Sequence, residues 1–435
     1  MRLALFALAA AATFLAAPAQ AQLSSPERRM MATVDAEQAR TLALLEKMVN
    51  QNSGTLNLAG VEKVGQMMRA ELEALGFTVE WIDMKATGRA GHLVARHAGQ
   101  PGGKKLLLIG HLDTVFEADS PFQRFERDGA RATGPGIGDD KGGVVVIIAA
   151  MRAMQAAGTL DDANVTIVLT GDEERIGAPA DVARRDLIEA GRAADFALEF
   201  ENLAIDGGAE FGTIARRSSN NWTLTTTGRT GHSSGVFSEG LGYGAIYELV
   251  RILDAFRRDL PEPNLTYNVG VVAGGTPAAI DAEGFSVTAS GKTNIVASTA
   301  IARGDLRTLT REQDERVRAG MQAIVAEHLP RTEAELVFGE GGYPPMAPTE
   351  GNRALLARLN AVNRDLGLPE MAEYDPARRG AADSGFVAAD VDTLGGLGIS
   401  GGNAHAEGEW VDLDSLVRQS QRAAVLISRL SLGED

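Results

Sequence analysis

At 435 residues the chain exceeds what one hydrophobic core usually serves, so two domains are expected. It contains no cysteine, which excludes thiol chemistry and disulfide staples and leaves stability to core burial, bound metal and contacts between copies. The 58 Asp and Glu against 42 Lys and Arg give a net charge of -16, which repels phosphate backbones and anionic lipid surfaces and argues against nucleic acid as a partner.

Taken in chain order, Arg2 is followed by an apolar run over 3–17 and then by Ala19-Gln20-Ala21, a small-x-small cleavage signal. This reads as a secretory signal peptide over 1–21, because the run is shorter than the ~20 residues a spanning helix needs. No later apolar stretch is long enough to span, so a soluble protein in the periplasm or outside the cell is expected, with no stable membrane span after cleavage. The pattern predicts a helix over 35–75, buried strands over 105–109, 165–169 and 196–200, and an apolar helix over 142–154. Strands alternating with helices predict an α/β sheet covered by helices. From residue 221 the order becomes strand 222–227, helix 243–256, strands 265–272 and 299–306, helix 311–329 and strand 334–338, which is a split β-α-β-β-α-β unit. Helical patterns over 351–366 and 413–430 then flank a Gly-rich stretch over 395–402 and suggest a return to the first domain. The expected division is a catalytic domain over 22–215 and 331–435 interrupted by a smaller unit over 216–330.

The chemistry-bearing residues stand just beyond the predicted strands, where open α/β sheets place their sites. His111 and Asp113 follow the first buried strand two residues apart, so extended backbone aims both to one face. Gly134-Pro135-Gly136-Ile137-Gly138-Asp139-Asp140-Lys141-Gly142-Gly143 brings two carboxylates to the mouth of the apolar helix. Asp172-Glu173-Glu174 ends the next strand, Glu199 and Glu201 bracket Phe200 at the third, and His405 lies in a C-terminal loop. Singly, these have ordinary readings as a hydrogen-bonded surface pair, helix caps and a solvated acidic turn. Together they supply two imidazoles and several carboxylates without thiolate, a donor set that suits Zn²⁺, with Co²⁺ or Mn²⁺ as alternatives.

These motifs, in this order, resemble the family of acetylornithine deacetylases, succinyl-diaminopimelate desuccinylases and glutamate carboxypeptidases, the pattern being closest to the last. The resemblance covers nearly the whole chain after residue 21. It implies an α/β fold in which a mixed-sheet zinc-hydrolase domain carries an inserted α+β lid and dimerisation domain. It implies two zinc ions, one held by His111 and Glu201, the other by Glu174 and His405, with Asp139 bridging both. Asp139 is preferred to Asp140 because the family pattern is Asp-x-Lys-Gly, and the peptide bond after the bridging residue is expected to be cis. Asp113 would orient His111, and Glu173 would act as general base on a shared water. Gly231-His232-Ser233-Ser234 resembles an element that reaches a neighbouring site across a homodimer, where His232 would stabilise an oxyanion. Asn294 and Arg307 match substrate-carboxylate contacts, although Arg307 in Asp305-Leu306-Arg307 also suits pairing on a sheet face.

The activity so implied is release of a C-terminal, glutamate-like amino acid from a small peptide or N-acyl-amino acid. The alternatives are an N-acyl-amino-acid deacylase or dipeptidase with the same metals and, more remotely, a non-catalytic exported solute binder. Two departures from the family pattern bear on specificity: Arg175-Ile176-Gly177-Ala178-Pro179 follows Glu174, and Ala381-Ala382-Asp383 stands where Gly-Thr-Asp is common. His92, His97 and His328 match no motif and are assigned structural or solvated roles.

Overall fold

The computed structural model describes residues 23–281 and 286–433; the expected signal peptide lies outside the described residues. Three helices open it: α1 (Ser25–Ala36), α2 (Gln38–Val49) and α3 (Leu58–Glu73). The single helix expected over 35–75 is therefore broken. Asn57 caps α3 by accepting the Gly60 N–H, which competes with helix continuation. Gly54 within the break lies so close to the next loop that a Cβ there would sit 2.5 Å from the Glu117 Cα. The break is thus a packing requirement, which helical periodicity does not report.

The strands β1 (Thr78–Asp83), β2 (Gly91–His97), β3 (Lys105–His111), β4 (Asn164–Thr170) and β5 (Phe196–Glu199) follow, with α4 (Gly142–Ala157) between β3 and β4 and α5 (Arg185–Ala193) before β5. The smaller unit comprises β6 (Asn220–Gly228), α6 (Ala245–Asp259), β7 (Thr266–Gly275), β8 (Thr299–Arg307), α7 (Arg311–Val325) and β9 (Thr332–Phe338). The chain then forms α8 (Glu350–Asp365), β10 (Thr393–Leu394) and α9 (Leu413–Leu432).

The main sheet has the order β1-β2-β4-β3-β5-β10. β4, β3, β5 and β10 are mutually parallel, β2 runs antiparallel to β4 and β1 antiparallel to β2, so His111, Thr170 and Glu199 end their strands on one edge. Parallel strands need cover on both faces, and the near-continuous apolar runs of β3 and β4 provide for it. α4 is buried from Gly142 to Met154, and full burial of each of its Val and Ile side chains stabilises the fold by roughly 1.5–3 kcal/mol. Its first turn presses on the end of β5: a Cβ on Gly143 would lie 1.7 Å from the Phe200 carbonyl oxygen, so only glycine brings Asp139 and Asp140 beside Glu201.

The smaller sheet has the order β7-β8-β6-β9, antiparallel throughout, with a separate apolar core in which Trp222 and Leu224 meet Leu249, Ile252, Phe256 and Met321. This is the split β-α-β-β-α-β order. β9 pairs with β6 and turns Ala334, Leu336 and Phe338 inward, so the strand expected over 334–338 closes this sheet. A two-stranded ladder, Ala278–Ile280 with Val287–Ala289, adds to the predicted elements. Among the described residues no helix is long and apolar enough to cross a membrane.

Candidate metal centre

The end of β3 sets the first ligand. His111 is buried, with Nδ1 3.1 Å from the Asp113 carbonyl oxygen and 3.4 Å from its carboxylate. A carbonyl only accepts, so Nδ1 carries the proton and Nε2 is left free to face Asp139. The Asp113 side chain does more than the expected orienting of His111: it accepts from the Thr55 hydroxyl at 2.6 Å and from the N–H groups of Glu173 and Glu174 at 2.9 and 3.1 Å. It therefore ties the acidic turn after β4 to the end of β3.

Asp139 stands between the two imidazoles. Its Oδ1 is 3.1 Å from His111 Nε2 and its Oδ2 is 3.0 Å from His405 Nε2, which in turn is 3.1 Å from Glu174 Oε2. Three groups place their ligand atoms within 4.8 Å of one another: His111, Asp139 and Glu201; Asp139, Glu174 and His405; and His111, Glu173 and Glu174. The Asp139-Asp140 peptide bond is cis, and Asp140 turns back to accept the His111 N–H at 3.2 Å, so Asp139 alone of the pair faces the imidazoles.

Electrostatics test whether cations fit. Burial, followed by the charge of Glu201, holds the Glu173 carboxyl well above the usual range, and burial with the neighbouring Asp139 raises Glu174. Burial pushes Glu201 up to about 7 against the opposing pull of Arg216. Asp139 stays low because bonds from His111 and His405 outweigh its burial, while bonds to Asp139 and Glu174 raise His405 to about 11. The Glu174 Oε1 is buried without a hydrogen-bond partner. Crowded carboxylates that must hold protons, and a carboxylate oxygen left without a donor, are what two divalent cations on imidazole and oxygen ligands relieve.

Several contributors escaped the sequence reading. Glu409 accepts the N–H groups of Gly136, Gly138 and Asp139 at 3.0, 2.7 and 3.0 Å, joining the His405 loop to the Asp139 loop. Arg216 Nη2 donates to Glu199 at 2.5 Å and Glu201 at 2.8 Å, which accounts for the carboxylate that interrupts the apolar β5. Arg184, fully buried, joins Asp172 and Asp383 at 2.5 and 2.6 Å, and the Tyr343 hydroxyl donates to the Glu173 carbonyl. Only the misplaced Glu199 signalled such a partner from sequence; the others belong to no local pattern.

The remaining expected residues lie apart from these groups. Exposed His232 has Nδ1 2.8 Å from the Ser234 hydroxyl, and the Asn294 carbonyl accepts the Ser233 N–H at 2.9 Å, so the two are neighbours on the smaller unit. Arg307 donates to Asp305 at 2.8 Å, the sheet-face pairing that its sequence also allowed. None of the three belongs to a ligand group. His92 is buried against the Ala183 carbonyl at 2.7 Å, a structural role.

Comparison with known proteins extends these findings. The family described as peptidase family M20/M25/M40 matches residues 107–429. Carboxypeptidase G2 of Pseudomonas sp. (strain RS-16) is 27% identical over 407 residues, covering 92% of this chain and 91% of the relative. A succinyl-diaminopimelate desuccinylase of Granulibacter bethesdensis is 26% identical over 368 residues, covering 80% and 86%. In fold, the chain is similar to the aminopeptidase PepT of Bacillus cereus, with a TM-score of 0.70 at 19% identity over 90% of this chain and 98% of the other. It is also similar to the Bacillus subtilis YXEP protein, described as a dinuclear metal binding peptidase, with a TM-score of 0.60 at 16% identity over 91% and 99%.

Proposed function

The chain belongs to peptidase family M20/M25/M40, a family of metal-dependent hydrolases, and on that premise we propose that it uses two zinc ions to cleave an amide bond beside a free carboxylate. The released residue in this reading is a C-terminal, glutamate-like amino acid, and the substrate is a small peptide or N-acyl-amino acid. The observation that carries the two-metal reading is Asp139, whose two oxygens face different imidazoles at 3.1 and 3.0 Å. His111 and Glu201 would hold one ion, Glu174 and His405 the other, with Asp139 between them. When bound, the pair supplies Lewis acidity and lowers the pKa of a water between the ions.

The protein's own groups do the rest. Glu173 lies at the cluster with its carboxyl made more basic by burial, which suits it to take a proton from the attacking water and return it to the leaving amine. Asp113 holds the Glu173 and Glu174 backbone so that both side chains keep their aim. From the smaller unit, Arg307 on β8 and Asn294 in the turn before it would bind the substrate carboxylate, since a guanidinium forms a planar fork of donors. His232 would come from a second copy to stabilise the oxyanion.

A homodimer is favoured by the uncovered apolar side chains Val271 and Val272 on the β7 edge and Ile246, Tyr247 and Val250 on α6. Export to the periplasm or beyond rests on the leader-like first 21 residues. The deciding experiment measures metal content beside hydrolysis of N-acyl-glutamate, N-acyl-lysine and simple dipeptides, with and without chelator. Chelator-sensitive release of glutamate in preference to the others supports the proposal. Preference for N-acyl-lysine or dipeptides selects the deacylase or dipeptidase, and release of no amino acid from any substrate refutes both.

A further inference from the structure

The chain crosses between the two sheets twice, at 213–219 and 339–346, and the crossings pair with each other. Arg216 and Met346 exchange backbone hydrogen bonds of 2.9 and 3.0 Å, and Ser219 and Tyr343 exchange bonds of 3.0 and 2.9 Å. Each strand of this ribbon sends one side chain to the metal centre. Arg216 reaches Glu199 and Glu201, with its Nη1 anchored on the Gly380 carbonyl at 3.0 Å. Tyr343 stacks edge-on against Phe386 at 5.5 Å between ring centres and donates its hydroxyl to the Glu173 carbonyl.

The Glu173 backbone is therefore held from two sides. Its N–H is bound by Asp113 at the end of β3, whereas its C=O is bound by Tyr343 from the ribbon. A similar division applies to Glu201, which follows β5 in the main sheet while its Oε2 accepts from Arg216 on the ribbon, leaving Oε1 for an ion. Any change in the seat of the smaller sheet must pass through these two short strands, because they are the covalent links between the sheets.

Resting on the two-metal hydrolase reading, we infer that the ribbon carries two positioning residues, Tyr343 for Glu173 and Arg216 for Glu201. Through them the seat of the smaller sheet sets the aim of the proton-handling carboxylate and of one metal-holding carboxylate. Neither touches substrate; each acts through the group it holds. Substrate drawn against the smaller sheet would thereby align the chemistry in the main sheet.

Tyr343→Phe tests this with the least disturbance, because the ring and its contact with Phe386 are kept. A displacement of about 1 Å at a reacting group costs up to roughly 100-fold in rate, so kcat should fall at least about 10-fold. KM should stay within about twofold, with metal content and thermal midpoint as in the parent. An unchanged kcat, or a lowered thermal midpoint with kcat per folded molecule unchanged, overturns the Tyr343 role. For the second half, Co²⁺ titration of the metal-free protein, followed by its visible absorption, should show one of the two binding steps weakened about 10-fold in Arg216→Lys, since lysine keeps charge but lacks the guanidinium's fixed donors. Equal weakening of both steps, or of neither, overturns the Arg216 role. If Arg216→Lys does not fold, Tyr343→Phe still decides. An inactive parent refutes the hydrolase reading and with it the Tyr343 role, and the cobalt titration still decides the Arg216 role by itself.

Discussion

The two sheets of this protein treat charge in opposite ways. At the edge of the main sheet, carboxylates and the buried His111 crowd together with the more exposed His405 and are aimed at each other, with Glu201 pushed up to about 7 and His405 raised to about 11. On the smaller sheet, the polar groups expected to matter are satisfied locally, Arg307 by Asp305 and His232 by Ser234, and apolar side chains on β7 and α6 face outward. The first arrangement is drawn entirely from one chain. The second leaves its polar groups bonded among themselves and an apolar face uncovered, the arrangement on which the proposed dimer rests.

The largest effect should come from the main sheet. Asp139→Ala removes the oxygen donors shared by the group with His111 and Glu201 and the group with Glu174 and His405, so both metals should be lost and hydrolysis should fall to background, as metal analysis and activity on the same sample will show. Retention of two metals would break the view of Asp139 as the shared ligand. Next, Glu173→Gln should keep both metals while kcat falls by about 10²–10⁴-fold, the usual worth of a general acid-base group. Full turnover in that variant removes Glu173 from the mechanism.

The smaller sheet predicts a different kind of result. His232→Ala should lower kcat by about 10²–10³-fold, as loss of an oxyanion donor does, without changing metal content. Mixing it with Glu173→Gln after dissociation should restore activity, because each hybrid dimer would combine an intact Glu173 with an intact His232. Absence of rescue despite hybrid formation would mean that His232 serves no neighbouring site.

The smallest effect concerns protons. In the metal-free protein His405 is raised to about 11 by its bonds to Asp139 and Glu174, so it is charged at pH 7, whereas a ligating imidazole must be neutral. Metal loading at pH 7 should therefore release about one proton from this residue, and affinity should fall as pH falls. The same shift gives the metal-free fold a contribution that is full below about pH 6.5, the ordinary histidine value, and is lost as pH rises through 11. Calorimetry in buffers of different ionisation heat reads the release; none on loading would show that His405 is already neutral.

Much of this was legible in the residues. Apolar runs located β3, β4 and β5, and acidic or imidazole groups immediately after each run marked the edge where they meet, because a parallel sheet delivers successive strand ends to one side. Helical periodicity was less informative over 35–75, where close approach of Gly54 to Glu117, a contact between distant segments, breaks the helix. The strand expected over 334–338 does form, as β9 over Thr332–Phe338, paired with β6.

The order of the chain by itself determined the family, the alternation of strands and helices, and which residue types stand at the strand ends. Those are local properties, carried by periodicity and by short motifs. Only the tertiary structure decided that Glu409 would fasten the Asp139 loop, that Arg216 would divide itself between Glu199 and Glu201, and that Tyr343 would hold Glu173. Glu409 and Tyr343 lie far along the chain from the groups they hold, and even Arg216 sits in a different strand from its partners. A buried charge takes whichever partner the packed backbone brings within reach, and no spacing in the sequence encodes that choice.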